Sequence, residues 1–372
     1  MYKVCHMTSA HEEEDDRIFH KECVSLAKAG YEVYLVERGK SYEKNGVHIV
    51  GVGQIPKGRL KRMTEGAKRV YEAAKALDAD IYHFHDPELL PYGMKLKRAG
   101  KKVIFDSHEF YREQICEKQY LPVWLRNLVA GVYSSYERYA LKRLDGVVSP
   151  CTLHGKNFFA DRCQRAVIIS NSVVLSEFFE RYIPDAEKKE RQLCYAGGLT
   201  ETRGITADMR AAYCADAKLV LAGAFSPPEY KKNLEAMPEY SCVEYRGRLP
   251  LSDVRSLMNE SRIGLCTLLD SGQYLKIDTF GIKVYEYMSM ALPVILSHSS
   301  YNDRMVDRYH FGICVDPTNI DEIASAIRYL LDHPEEARRM GENGRRAVKE
   351  EFNWGAEEKK LLALYEDILN EK

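Results

Sequence analysis

Two carboxylates, Asp278 and Glu286, bracket Phe280 and Gly281 in the run DTFGIKVYEYMSMALPVILS. The residues after Gly281 turn helical, and the first N–H groups of a helix have no partner within it, so they favour an anion. Gly281 puts no side chain in the way of a phosphate approaching the backbone. Glu286 then falls roughly 5 to 8 Å beyond that anion, at about 1.5 Å of rise per residue. A carboxylate there can accept two hydrogen bonds from a vicinal diol such as ribose. Asp278, on the loop side, can accept from hydroxyls at the other end of the same ligand. A diol, a diphosphate and a second polyol in a row describe a nucleotide sugar.

The first half holds a second group of such residues. His85-Asp86 and His108-Glu109 each end an apolar run that reads as a strand, and Ser9 and His11 follow the first such run. Residues at the carboxyl ends of parallel strands line one crevice, so these become candidates for binding the second reactant.

The elements that must position both groups are legible as alternation. Short β-branched runs such as YKVCHM, YEVYLVE, DIYHFH, KVIFDSH, QLCYAGG, KLVLAG and PVILS alternate with amphipathic stretches. That pattern predicts α/β structure with parallel sheets covered on both faces. We expect two doubly wound, Rossmann-like domains in tandem: residues 1–174, a linker over 175–191 where charge rises and apolar periodicity lapses, then residues 192–352. Asn319 with Glu322 predicts a capped helix start. The tail predicts helices broken at Gly341/Gly344 and near Asn353, and its last one, 353–372, has no strand left to cover.

Composition narrows the function. Lysine plus arginine total 54 against 55 acids, a net charge of −1, so no pull toward nucleic acid is written into the whole chain. No apolar run approaches the roughly 20 residues of a membrane span, and the start lacks a signal-peptide core, so the chain reads as cytosolic. The ten cysteines are scattered, with no CxxC pair, predicting neither disulfides nor structural metal. His83 and His85 alternate onto one face of a strand but lack a third ligand at zinc spacing. The run from Lys57 to Leu77 collects seven Lys or Arg against two Glu. Such a face is ordinarily solvated; its functional reading, through Lys57, Arg59, Lys61 and Arg62, is contact with an anionic membrane surface. Apolar residues at 121, 124, 125, 128, 129, 132, 133 and 136 define one helix face, read as core.

The segment DTFGIKVYEYMSMALPVILS resembles the E-x-F-G-x-x-x-x-E signature of the retaining GT-B glycosyltransferases of family 4. YAGGLTETRGI, FGICVDP and FNWGAEEKKLLALY resemble further segments of that family in the same order, and DIYHFHDPELLPYGMKLKRAGKKVIFDSHE is similar to capsular and surface-polysaccharide members. The resemblance implies a GT-B fold with the donor cleft between the domains, a nucleotide-sugar donor (UDP sugars ahead of GDP sugars) and a saccharide or lipid-linked saccharide acceptor. It also implies retention at the anomeric carbon, no metal or other cofactor, and a last helix packing back on the first domain.

Carried over by position, Glu286 matches the acid on the ribose, and Phe280, Gly281, Ile282 and Lys283 lie in the turn that meets the donor. Asp278 stands where the family has Glu. Gly197 and Gly198 open the other donor loop; Gly198 replaces a usual Arg and Arg203 a usual Lys. Arg248 and Lys283 are candidates for the missing phosphate charge. His108 matches the histidine beside the reacting sugar, with Arg203 and Asp278 as its catalytic companions. Ser9, His11, His85, Asp86 and Glu109 are expected on the acceptor side. Two rival readings share these residues: a non-hydrolysing nucleotide-sugar 2-epimerase and a donor-binding subunit without catalysis.

Overall fold

The β-branched runs form parallel strands, and the central ones of each sheet have buried side chains on both faces. The computed structural model describes residues 1–55, 58–116, 122–184, 188–271 and 274–371. They divide into two units, Met1–Asn171 with Gly355–Lys372, and Ser172–Trp354.

The first unit is built on β1 (Lys3–Met7), β2 (Glu32–Glu37), β3 (Tyr42–Lys44), β4 (Val47–Gly51), β5 (Ile81–Phe84), β6 (Lys102–Asp106), β7 (Gly146–Ser149) and β8 (Ala166–Ile168). Their order is β3-β4-β2-β1-β5-β6-β7-β8, parallel throughout except for the edge strand β3. Val4 of β1 pairs with Val33 on one side and Ile81 on the other, so the chain moves outward from β1 and then returns to its opposite flank. The crevice beyond the carboxyl ends of β1 and β5 is therefore a topological switch point.

Three helices of this unit matter for the site. Helix α1 is π-helical over Asp16–Cys23 and continues through Val24–Lys28. Asp15 caps it by accepting from the Arg17 and Ile18 amides at 2.9 and 3.0 Å. Helix α2 covers Val123–Leu141. Residues 355–369, the body of the last helix, pack Leu364 and Ile368 against Gly146 of β7, where an added Cβ would come within 3.3 Å of each.

In the second unit β9 (Gln192–Ala196), β10 (Lys218–Ala222), β11 (Val243–Tyr245), β12 (Ile263–Cys266), β13 (Val294–Ser297) and β14 (Gly312–Val315) are all parallel, in the order β11-β10-β9-β12-β13-β14. Side chains alternate across this sheet. Leu193, Tyr195, Leu219 and Leu265 meet Ile205 and Met209 of α3 (Ile205–Cys214) on one face. Cys194, Val220 and Cys266 meet Val284 and Tyr287 of α4 (Ile282–Ser289) on the other. The switch point here lies between β9 and β12.

Three expectations need correcting. The stretch 175–191 belongs to the second unit: Phe178 is buried, Glu177 accepts from Arg255 at 2.7 Å, and the Ile183 amide donates to Asn259 at 3.1 Å. Its charges hide apolar anchors, since Leu175, Phe179 and Tyr182 pack on the same core as Phe178, and residues 185–187 lie outside the described ones. Gly341 and Gly344 do not break a helix, because Pro334–Glu350 runs through both. A Cβ on Gly341 would sit 2.1 Å from the Ala291 carbonyl, so close packing demands this glycine. Finally, the apolar face of α2 is not core. Trp124, Leu128 and Val132 are 68%, 57% and 63% exposed, while the buried positions are Ala130, Glu137, Ala140 and Leu141. Leu121 of that expectation lies outside the described residues.

Candidate active site

Both groups of chemistry-bearing residues lie at the carboxyl ends of strands flanking a switch point, each within its own unit. In the second unit, Gly197 follows β9 at φ 146°, and a Cβ there would stand 3.3 Å from the Lys283 ammonium. The Tyr195 hydroxyl donates to the Gly198 carbonyl at 3.1 Å, which fixes the double-glycine turn. Gly204 opens α3 at φ 77°, and a Cβ would fall 2.0 Å from the Thr267 carbonyl, so only glycine lets this helix start press against the end of β12. Thr267 donates to the buried Asp208 carboxylate at 2.5 Å, and burial pushes that carboxyl up to about 7.

Arg203 stands just before Gly204, with its guanidinium 5.9 Å from the centre of the Tyr274 ring. Burial works against its charge, but Tyr195, Tyr274 and Cys266 together hold its pKa above the ordinary value. Lys283, in the first turn of α4, is buried, and burial lowers its ammonium's pKa while Arg203 presses it lower still. Two cations thus converge beside a glycine turn and a helix N-terminus, an arrangement that an oxyanion relieves.

The turn before α4 is anchored from behind. Phe280 is buried with its ring centre 5.0 to 5.8 Å from those of Tyr301, Tyr285, Phe311 and Phe352, so only its backbone can meet a ligand. Gly281 is the exposed N-cap, and nothing lies within 4 Å of where its Cβ would be. Ile282 and Glu286 are half-buried along the same helix. Asp278 accepts from Arg304 at 3.2 Å. Arg248 is exposed, one residue after Gly247, whose carbonyl accepts from the Gly223 amide at 2.7 Å.

In the first unit, Asp86 accepts from the Thr8 hydroxyl at 2.9 Å and from the Ser9 and Ala10 amides at 2.6 and 3.2 Å. Burial opposes its charge, but the His11 ring, 3.2 Å away, and the loop donors hold its carboxyl well below the usual range. Against burial, Asp86 in turn raises the His11 pKa. Asp86 therefore clamps the loop after β1. Ser9, buried and bonded to Asp86 and Glu88, serves the same clamp, which corrects its expected role as an acceptor ligand. His85 is also corrected: it is wholly buried, and its two nitrogens face His6 and His108 at 3.0 and 3.1 Å.

Asp86, His11, His108 and Glu109 line a cavity of about 500 Å³, closed on other sides by Arg62, Met63 and Tyr133. Glu109 accepts from Gln114. Beneath it Arg17 reaches Asp106 through Nε at 2.9 Å and Glu22 at 3.0 Å. Asp106 lies 3.4 Å from His108. Nothing in the spacing singled out Arg17, Glu22 or Asp106; charged residues in a helix turn and at a strand end look solvated until the fold buries them. The same holds for His6, which joins His83, His85 and Glu22 with ligand-type atoms within 4.8 Å of one another. Four of the nitrogens in this grouping already face one another or Tyr365 as hydrogen-bond partners.

Residues 17–177 match the family description Glycosyltransferase Family 4, and residues 177–347 match Glycosyl transferases group 1. The chain is a glycosyltransferase of the GT-B type. This glycosyltransferase is 33% identical over 93 residues to the MMP alpha-(1->4)-mannosyltransferase of Mycolicibacterium hassiacum, a match spanning 24% of this chain and 22% of that protein. Its fold matches a sucrose-phosphate synthase from Thermosynechococcus elongatus with a TM-score of 0.79, 18% identity and full coverage of both chains. It also matches Anabaena Alr3699/HepE, solved in complex with UDP and glucose, with a TM-score of 0.71, 13% identity and coverage of 99% and 100%.

Proposed function

We propose that this glycosyltransferase moves a hexose, with retention, from a nucleoside diphosphate sugar to a saccharide or lipid-linked saccharide during surface polysaccharide assembly, with UDP sugars ahead of GDP sugars as donors. The observation that carries the reading is the convergence of Arg203 and Lys283 beside Gly197 at the second unit's switch point. In this reading the diphosphate lies against those cations and the N-terminus of α4, and Glu286 accepts from the ribose hydroxyls. Lys283 supplies the charge that Gly198 does not. Asp278, Gly281 and Ile282 meet the donor, Arg248 flanks it, and His108 serves the transferred sugar.

Chemistry follows from charge. The acceptor hydroxyl attacks from the side on which the diphosphate leaves, its proton passes to the departing phosphate oxygen, and the C–O bond to that phosphate breaks as the new one forms. No protein base and no metal are needed in this scheme; charge on the leaving group is met by Arg203, Lys283 and the helix N-terminus. A lipid-linked acceptor would bring the first unit to a bilayer. Supporting that, the exposed face of α2 carries Trp124, Leu128 and Val132, while its one acid, Glu137, is buried against Arg162 at 2.7 Å. Lys57 and the Arg59 side chain lie outside the described residues, and Arg62 is paired with Glu88 at 3.2 Å, so the basic run is the weaker part of that surface. Among the described residues no helix is long and apolar enough to cross a membrane.

The test is a panel of UDP, GDP and ADP sugars with a saccharide acceptor, following nucleotide release and the anomeric configuration of the first product by NMR. Release of UDP with the donor's configuration kept is expected. Inversion, or nucleotide binding without transfer to any acceptor, sinks the proposal.

A further inference from the structure

A chain of hydrogen-bonded neutral imidazoles has a direction, because each ring carries one N–H and one lone pair. Such a chain runs from Tyr365 to His108 within the first unit. The Tyr365 oxygen is 2.8 Å from His83 Nδ1 and 3.1 Å from His6 Nε2. His6 Nδ1 is 3.0 Å from His85 Nε2, and His85 Nδ1 is 3.1 Å from His108 Nε2. Tyr365, His83, His6 and His85 are completely buried, and burial holds all three of these rings below their ordinary pKa, hence neutral.

Tyr365 has one hydroxyl proton and two ring neighbours, so it must donate to one and accept from the other. The far nitrogen of His83 decides which. His83 Nε2 is buried and has no hydrogen-bond partner. A proton there would leave a buried N–H without an acceptor, which native structures avoid more strictly than an idle lone pair. His83 therefore keeps its proton on Nδ1 and donates to Tyr365. Tyr365 donates to His6 Nε2, His6 Nδ1–H donates to His85 Nε2, and His85 Nδ1–H donates to His108 Nε2. Asp106 Oδ2, 3.5 Å from His85 Nδ1 and 3.4 Å from His108 Nε2, receives one donor in either direction and so does not choose between them. Glu22, 4.0 Å from both His6 and His83, is too far to accept from either.

We infer that Tyr365 is a positioning residue that, through His6 and His85, holds His108 as the Nδ1–H tautomer and so leaves the cavity a nitrogen that donates. A donor at that point suits the oxygen of a sugar hydroxyl and cannot act as a base. The ligand rests on the function proposed above; the tautomer does not.

Two-bond ¹H–¹⁵N correlation spectra of the full chain with ¹⁵N-labelled histidine read the tautomer without any ligand. The expected result is a protonated Nδ1 and a bare Nε2 on His108. In Tyr365→Phe the chain loses its direction, so the His108 signals move toward a mixture of tautomers. Turnover should fall about tenfold while the KM for the nucleotide sugar stays put, as for a group that is present but misaligned. Tyr31→Phe, whose ring centre lies 5.8 Å from that of Tyr365, should leave the spectrum alone. A protonated Nε2 on His108 in the parent overturns the inference, and so do parent-like His108 signals in a folded Tyr365→Phe. Should that variant not fold, the parent spectrum alone decides.

Discussion

The Lys283 ammonium stands 4.8 Å from the centre of the Tyr195 ring, whose hydroxyl in turn holds the Gly198 carbonyl. Cation, ring and glycine turn are thus one assembly, and moving any of them moves the others. A buried ammonium is a liability in the empty protein and an asset once an anion arrives.

Lys283→Met separates the two effects. The unliganded variant should melt at or above the parent's temperature, because a desolvated charge is gone, while affinity for UDP should drop by about tenfold to a hundredfold, the scale of one charge-assisted hydrogen bond. Calorimetric titration beside a thermal melt gives both numbers. Unchanged UDP affinity would remove Lys283 from the site.

Glu286→Gln tests the ribose contact. The parent should prefer UDP over 2′,3′-dideoxy-UDP by about tenfold or more, the worth of hydrogen bonds to a carboxylate. In the variant that preference should shrink, because UDP loses affinity and the dideoxy ligand does not. Equal losses for both ligands would mean that Glu286 acts elsewhere.

Asp208 gives stability a pH dependence of known sign. Its folded value near 7 lies above the ordinary 3.8, so the folded state holds this proton more tightly than the unfolded chain does. The associated stability is fully present below about pH 4 and is lost as pH rises through about 7, a term on the order of 4 kcal/mol. Asp208→Asn keeps the acceptor for Thr267 and cannot ionise. The melting temperature of the variant should therefore fall less than the parent's between about pH 5 and about pH 8. Parallel curves would place the proton elsewhere.

Replacing Trp124, Leu128 and Val132 together by Ser should leave the melting temperature where it was, since all three are exposed. Sedimentation with vesicles rich in anionic lipid should weaken by about tenfold or more. Parent-like sedimentation of the triple variant would end the bilayer reading.

Much of this was legible in the residues. The alternation of β-branched and amphipathic runs carries the α/β reading, and Arg203, Gly281 and Lys283 stand where a strand–turn–helix pattern puts them. What escaped was burial of charge. Asp106 and Arg17 drew no reading at all, because only the packing of α1 on the sheet brings them together. His85 read as a ligand because strand ends are where ligands collect, yet its own neighbours consume it. The helix face at Trp124 failed for the opposite reason: apolar spacing says that a face will be covered but not by what.

The first unit is interrupted by the second, since Met1–Asn171 is completed only by Gly355–Lys372. A ribosome therefore releases an entire intervening body before the helix that bears Tyr365 can dock. Until then His83 and His6 lack the hydroxyl between them, and Met1–Asn171 wait, unfinished, on Gly355–Lys372. A stop codon anywhere in the stretch that encodes the second unit would leave the first unit's sheet without this helix.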